Sequence, residues 1–191
     1  SCAAAEIDST YFAGNLRDPM EIAVAPDGDL FVIEREGRLL RVRPSTGGVF
    51  VIGELKVTAL RQSDAGSSWA REDGGLGLAL DPAFATNRFV YLTYSKRRPD
   101  GTGNTTALVR AKFEKDALTG VTQLFESVST GRGHFGGKIA FDGKGHLFLT
   151  LGDRQVPPEG DLEKHPAQDL TNHHGKVVRL NDDGKVPADN P

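Results

Sequence analysis

The chain is short of several things, and each shortage removes a class of function. It holds one cysteine, Cys2, so no internal disulfide can form. No stretch approaches the roughly 20 consecutive apolar residues that a membrane-spanning helix requires. Charge of neither sign dominates. The 23 Lys and Arg stand against 26 Asp and Glu, a net −3, and nothing basic clusters as a nucleic-acid footprint would demand. A phosphate-binding loop is also missing. The run Arg71-Glu72-Asp73-Gly74-Gly75-Leu76-Gly77 leads into a strand pattern rather than a helix, and no Lys-Ser or Lys-Thr follows. Nor is there a zinc cluster. His173 and His174 are adjacent, so in a strand they point to opposite faces, and no third ligand stands at a suitable spacing. Polar anchoring of their loop is the expected role of that pair.

What is present is turn-forming. Twenty-three glycines and ten prolines separate short runs of Val, Ile, Leu, Phe and Tyr, the pattern of an all-β protein. The start, Ser1-Cys2-Ala3-Ala4-Ala5, reads either as the end of a bacterial lipoprotein signal with Cys2 lipidated or as an arbitrary beginning. The first alternative implies a periplasmic or extracellular protein, touching a membrane only through a lipid anchor at Cys2.

Three segments resemble one another. They begin at Ile22, Leu78 and Ile139, spacings of 56 and 61 residues, and each is an apolar strand, a turn and a second apolar strand. Asp27-Gly28 supplies the turn of the first, a longer connection through residues 83–88 that of the second, and Asp142-Gly143 opens that of the third. Further strands follow over 38–42, 108–113 and 176–180. Polar residues alternate with apolar ones there, as in strands with one wetter face. The period suits a four-stranded blade, so the fold class is all-β and the architecture a β-propeller with about three blades present. A small self-contained β-sandwich is the alternative. Residues 1–15 read as a tail and 16–191 as a partial propeller, one part of a longer protein.

The richest polar loop is Gly131-Arg132-Gly133-His134-Phe135-Gly136-Gly137-Lys138. It enters the third hairpin, and Gly152-Asp153-Arg154 leaves it. His134 and Asp153 therefore sit at one end of the same hairpin, where cross-strand geometry can join them. A His held by a carboxylate suits general-base work near neutrality, because the carboxylate fixes the tautomer and stabilises the imidazolium. A purely structural His–Asp pair fits the spacing equally well. Gly136 and Gly137 lack side chains, so a flat ligand or neighbouring backbone can approach closely. Glu72 and Asp73 are candidates for contacting polyol hydroxyls, with a solvated charged turn as the alternative for Asp73.

These residues carry a family resemblance. Residues 19–42, 72–95, 134–154 and 167–191 resemble the pyrroloquinoline quinone (PQQ)-dependent aldose sugar dehydrogenases, relatives of soluble glucose dehydrogenase. The most specific matches are His134-Phe135-Gly136-Gly137, Leu151-Gly152-Asp153-Arg154 and the run from Gly175 to Pro191. The resemblance implies a six-bladed propeller with PQQ near its axis. It implies that His134 takes the proton of the sugar's anomeric hydroxyl while hydride passes from the same carbon to the quinone, and that Asp153 orients His134. Gly136, Gly137 and Arg154 become candidate cofactor contacts. A Gln common at position 72 lines the substrate site, but here it is Glu. The Asp that precedes the catalytic His in soluble glucose dehydrogenase is Gly133 here. The basic residues that clamp PQQ and the calcium ligands are expected beyond residue 191. Two other classes compete: a non-catalytic propeller binding a protein or glycan, and a metal-dependent lactonase on a similar propeller.

Overall fold

In a computed structural model of the chain, residues 9–11, 13–58 and 72–190 are described. Cys2 and Arg71 lie outside them. The apolar runs form three antiparallel sheets, each a simple meander. Sheet 1 holds β1 (Pro19–Val24), β2 (Leu30–Glu34), β3 (Arg38–Arg43) and β4 (Gly48–Glu54). Sheet 2 holds β5 (Gly75–Leu80), β6 (Phe89–Arg97), β7 (Asn104–Glu114) and β8 (Ala117–Glu126). Sheet 3 holds β9 (Ile139–Phe141), β10 (His146–Leu151) and β11 (Lys176–Asn181). β5 lies between β1 and β9, so the first strands of the three units sit side by side, as in the blades of a β-propeller. Three stacked sheets, rather than two, replace the sandwich alternative.

Each expected hairpin forms with a defined register. Ile22 stands opposite Val32, Leu78 opposite Leu92, and Ile139 opposite Leu149. In the first turn the Gly28 N–H donates to the Ala25 carbonyl at 2.9 Å. The longer connection through residues 83–88 forms as expected. It contains a one-turn helix, α1 (Phe84–Asn87), which drives Phe84 into the core. The strands β4 and β8 complete the first two blades. Most of their side chains are exposed or half-exposed: β8 has no long apolar run, and β4 carries Val49-Phe50-Val51-Ile52 with only Ile52 buried.

The core explains the longest apolar run. Along β6, Val90 and Leu92 face sheet 1, while Tyr91 faces sheet 3. The strand is covered on both sides and cannot alternate apolar with polar. The same holds for the first half of β7, while its expected wetter face appears at Arg110 and Lys112. Val109 and Phe113 pack toward sheet 1, Leu108 toward sheet 3, and Thr105 and Thr106 are buried. Only Arg110 and Lys112 keep the alternation, and Arg110 lies over the Phe89 ring. Between sheets 1 and 2, Phe31 makes edge contacts with Phe84 and Phe113 at 5.5 and 5.0 Å between centroids. Between sheets 2 and 3, the Tyr91 hydroxyl donates to the Asp182 carbonyl at 3.0 Å, and burial pushes its pKa up to about 12. Ala13 and Leu16, ahead of β1, cover Val32, Leu40 and Val42 on the other face of sheet 1.

Candidate functional site

The loops that enter β5 and β9 lie at one end of the stacked sheets, and buried hydroxyls of sheet 2 fasten the second loop. Thr93 Oγ1 donates to the Gly137 carbonyl at 2.6 Å and Thr106 Oγ1 to the Phe135 carbonyl at 2.8 Å. The Gly137 N–H donates to the Thr150 carbonyl at 2.7 Å, extending the β9–β10 ladder ahead of the first residue of β9. Phe135 is buried, which pins the loop between sheets. Both threonines are polar groups placed inside and fully used, as burial requires.

This anchoring leaves His134 outside. Its backbone turns left-handed, with φ at 47°. The ring Nδ1 lies 2.7 Å from Asp153 Oδ1, with half of the His134 side chain and a third of that of Asp153 exposed. The two residues that sequence placed at one end of the hairpin are thus in contact. Among the described residues no hydrogen bond engages Nε2. Burial works to raise the Asp153 pKa, but the hydrogen bonds from the His134 ring and the Gln155 N–H outweigh it and hold the carboxyl below its usual range. An ionised Asp153 favours the tautomer with the proton on Nδ1, leaving Nε2 as the unprotonated ring nitrogen.

A second pair, His146 and Asp142, has the same 2.7 Å contact. It sits in the turn at the opposite end of the hairpin, where the Lys144 N–H is the leading cause that lowers the Asp142 pKa to about 2. Pairing alone therefore distinguishes nothing. The surroundings of His134 do.

Those surroundings alter four sequence expectations. Arg154 does not present its guanidinium to a ligand. Arg154 and Gln155 both adopt positive φ, a turn that swings the Arg154 side chain inward to 4% exposure. There Nη1 donates to the carbonyls of His134, Phe135 and Gly152 at 2.9, 3.1 and 3.2 Å, and Nη2 to Thr106 Oγ1 at 2.9 Å. Burial lowers its pKa to about 10. Asp73 is not a solvated turn residue, nor is it open to a polyol. It is 2% exposed and pairs with Arg35 at 3.6 Å. At Gly136 a Cβ would come within 2.5 Å of the Thr150 carbonyl oxygen, and at Gly137 within 2.7 Å of Leu76 Cβ. Protein rather than ligand occupies those directions, so of the two approaches open to the glycine pair the structure takes that of neighbouring chain.

Glu72 lies beside His134. One carboxylate oxygen accepts from the His134 N–H at 2.6 Å and the other from Gln155 Nε2 at 3.3 Å. Gln155 escaped sequence reading, since a lone Gln after a turn carries no pattern. The remaining histidines are structural, as expected for His173 and His174. His173 Nδ1 accepts from the Val128 N–H at 3.0 Å, and His174 Nδ1 meets Ser129 Oγ at 2.9 Å. His165 uses both ring nitrogens within its own loop. Among the described residues no group of three or more His, Cys, Asp or Glu side chains could hold a metal ion. No helix among them is long and apolar enough to cross a membrane.

The chain matches known proteins along nearly its whole length. The sequence model of the family described as glucose / sorbosone dehydrogenase matches residues 16–191. An uncharacterized protein of Synechocystis is 38% identical over 97% of this chain and 46% of its own length. The aldose sugar dehydrogenase YliI of Escherichia coli is 33% identical over 99% of this chain and 48% of its own. The structure of the PQQ-bound form of aldose sugar dehydrogenase from Streptomyces coelicolor superposes with a TM-score of 0.75 at 26% identity, covering 94% of this chain and 49% of that one. The chain thus spans about half the length of the curated relatives it matches.

Proposed function

Since the chain belongs to the glucose / sorbosone dehydrogenase family, we propose that it serves an oxidoreductase that oxidises the anomeric CH–OH of aldose sugars, with PQQ as hydride acceptor and His134 as general base. The observation that carries the reading is the oriented ring of His134: Nδ1 held by Asp153 at 2.7 Å on a side chain that is half exposed. PQQ, when bound, supplies the quinone that takes up hydride. What this chain supplies is the proton's destination. A sugar hydroxyl placed against Nε2 loses its proton to the ring as C1 loses hydride, leaving a carbonyl at C1. Asp153, ionised, stabilises the imidazolium that results. General-base assistance of this kind contributes about 10²–10⁴ in rate.

The described residues fit the proton-handling side of a quinone site, while two cations near the His134 loop are already engaged by protein. Arg154 is turned inward and Lys138 pairs with Glu21. Neither Arg154 nor Lys138 is therefore assigned to hold PQQ, and the cationic clamp and the calcium ligands are assigned to the part of the relatives' length that this chain does not span. A periplasmic or extracellular location, lipid attachment at Cys2 and the division at residues 15 and 16 belong to the same proposal. The test is reconstitution of the full-length protein with PQQ and calcium, followed by aldose-dependent dye reduction. Reduction that needs both sugar and PQQ is expected. Absence of activity, or sugar-independent reduction alone, refutes the reading. Lactone hydrolysis that is lost to chelator and indifferent to PQQ would favour the lactonase alternative instead.

A further inference from the structure

His134 is held at three points, and only one of them is its ring. The backbone carbonyl accepts from Arg154 Nη1 at 2.9 Å, the N–H donates to Glu72 Oε2 at 2.6 Å, and the ring meets Asp153. The second and third holds are joined. Glu72 Oε1 accepts from Gln155 Nε2 at 3.3 Å, and the Gln155 N–H donates to the same Asp153 oxygen that meets the ring, at 3.0 Å. A closed circuit therefore runs from the His134 N–H through Glu72, Gln155 and Asp153 back to the His134 imidazole. It crosses from the loop before β5 to the loops on either side of the β9–β10 hairpin.

The circuit acts on a backbone that needs holding. A φ of 47° is uncommon for a residue with a side chain and persists where the surroundings over-determine it. Gly133 belongs to the arrangement. A Cβ there would collide with the Gln155 amide and come within 2.6 Å of Glu72 Oε2, so a side chain before His134 would require both to shift. Each Glu72 oxygen accepts one hydrogen bond from the protein, so the carboxylate is oriented by His134 and Gln155.

We propose that Glu72 is a positioning residue: with Gln155 it locks His134 in its left-handed backbone and so aims the imidazole, rather than binding substrate. The inference rests on the reading of His134 as the base. It also makes a particular prediction about amide chemistry. In Glu72→Gln the side-chain oxygen still accepts from the His134 N–H. Its new NH₂ group would face the NH₂ of Gln155, and a half-turn of the Gln155 amide restores the contact with donor and acceptor exchanged. The conservative change should therefore rescue, and Glu72→Ala should not.

The test compares wild type, Glu72→Gln, Glu72→Ala and Gln155→Ala in the full-length protein reconstituted with PQQ and calcium. A loosened base misplaced by a fraction of an ångström costs rate rather than affinity, on the order of 10–100-fold. Glu72→Ala is expected to lose about that much kcat with KM changed less than about threefold, Gln155→Ala to lose less, and Glu72→Gln to stay within about threefold of wild type. A second readout needs no activity: hydrogen exchange at the His134 amide, followed by mass spectrometry on peptides spanning 131–137. Exchange should quicken in Glu72→Ala and stay slow in Glu72→Gln. Glu72→Ala that raises KM and spares kcat overturns the proposal, because it makes Glu72 a substrate contact. Unchanged exchange at His134 overturns it too, whatever the activity. If Glu72→Ala fails to fold, Gln155→Ala with wild-type exchange and wild-type kcat has the same force. A wild-type enzyme without PQQ-dependent sugar oxidation removes the reading of His134 as base, a different failure from an active enzyme that tolerates Glu72→Ala.

Discussion

Replacing Arg154 by Met asks whether a buried cation holds the His134 loop together. The guanidinium makes four hydrogen bonds shorter than about 3.3 Å, three to carbonyls and one to Thr106. Carbonyls and hydroxyls accept its protons, so two effects oppose. Burying the cation is costly, and the fall of its pKa to about 10 reflects that. Removing it strands acceptors, each at about 1–3 kcal/mol. The Phe135 carbonyl keeps the Thr106 hydroxyl as a donor in the variant, which leaves the His134 and Gly152 carbonyls as the groups that lose most. Two stranded acceptors, less the relief of the buried charge, give a net loss of about 2–4 kcal/mol. For a chain of this size that is a fall in Tm of roughly 5–15 °C. Arg154→Lys, a point charge that cannot reach all four acceptors, should lose about half as much. Urea and thermal denaturation both measure it. A Met variant as stable as wild type, or more stable, refutes the reasoning and makes Arg154 a net liability to the fold.

Other consequences follow from the same geometry. Gly137→Ala places a Cβ 2.7 Å from Leu76 Cβ and 2.9 Å from Thr93 Oγ1 at a φ of 103°, and should cost about 2–4 kcal/mol in denaturation, whereas Gly143→Ala, with open space around it, should cost less. The pKa values of His173 and His174 are lowered by burial first, and then by the positive charges of Arg154 and Lys176. The folded state thus binds fewer protons than the unfolded chain below the unfolded value near 6.5, so their contribution is full above that pH and is lost as pH falls through it. Tm should drop between pH 7.5 and 5.5, and a His173→Gln/His174→Gln double variant should flatten that drop. For Asp153, whose pKa is lowered, the stabilisation is present above about pH 4 and disappears below it, a loss that Asp153→Asn should abolish.

Much of this was legible in the sequence, for physical reasons. Asp27-Gly28 and the glycine-rich turn after Phe141 fix two hairpins locally. A residue entering a hairpin and one leaving it must lie together, which is why His134 and Asp153 could be paired without a structure. What could not be read depends on contacts between sheets. Glu72 meets His134 across 62 positions, through loops of different blades. The inward swing of Arg154 depends on two successive left-handed residues that no local pattern marks. Asp73 is dry because Arg35 arrives from sheet 1, and β8 is a strand because the edge of β7 needs pairing, not because of an apolar run.

The account stands on His134 as the proton acceptor, and kcat/KM for an aldose in wild type and His134→Ala measures that most directly. At pH 7, with PQQ and calcium saturating, the ratio should be on the order of 10²–10⁴, with PQQ uptake, followed by absorbance, unchanged. A His134→Ala enzyme that binds PQQ and retains kcat/KM within about threefold of wild type contradicts the claim.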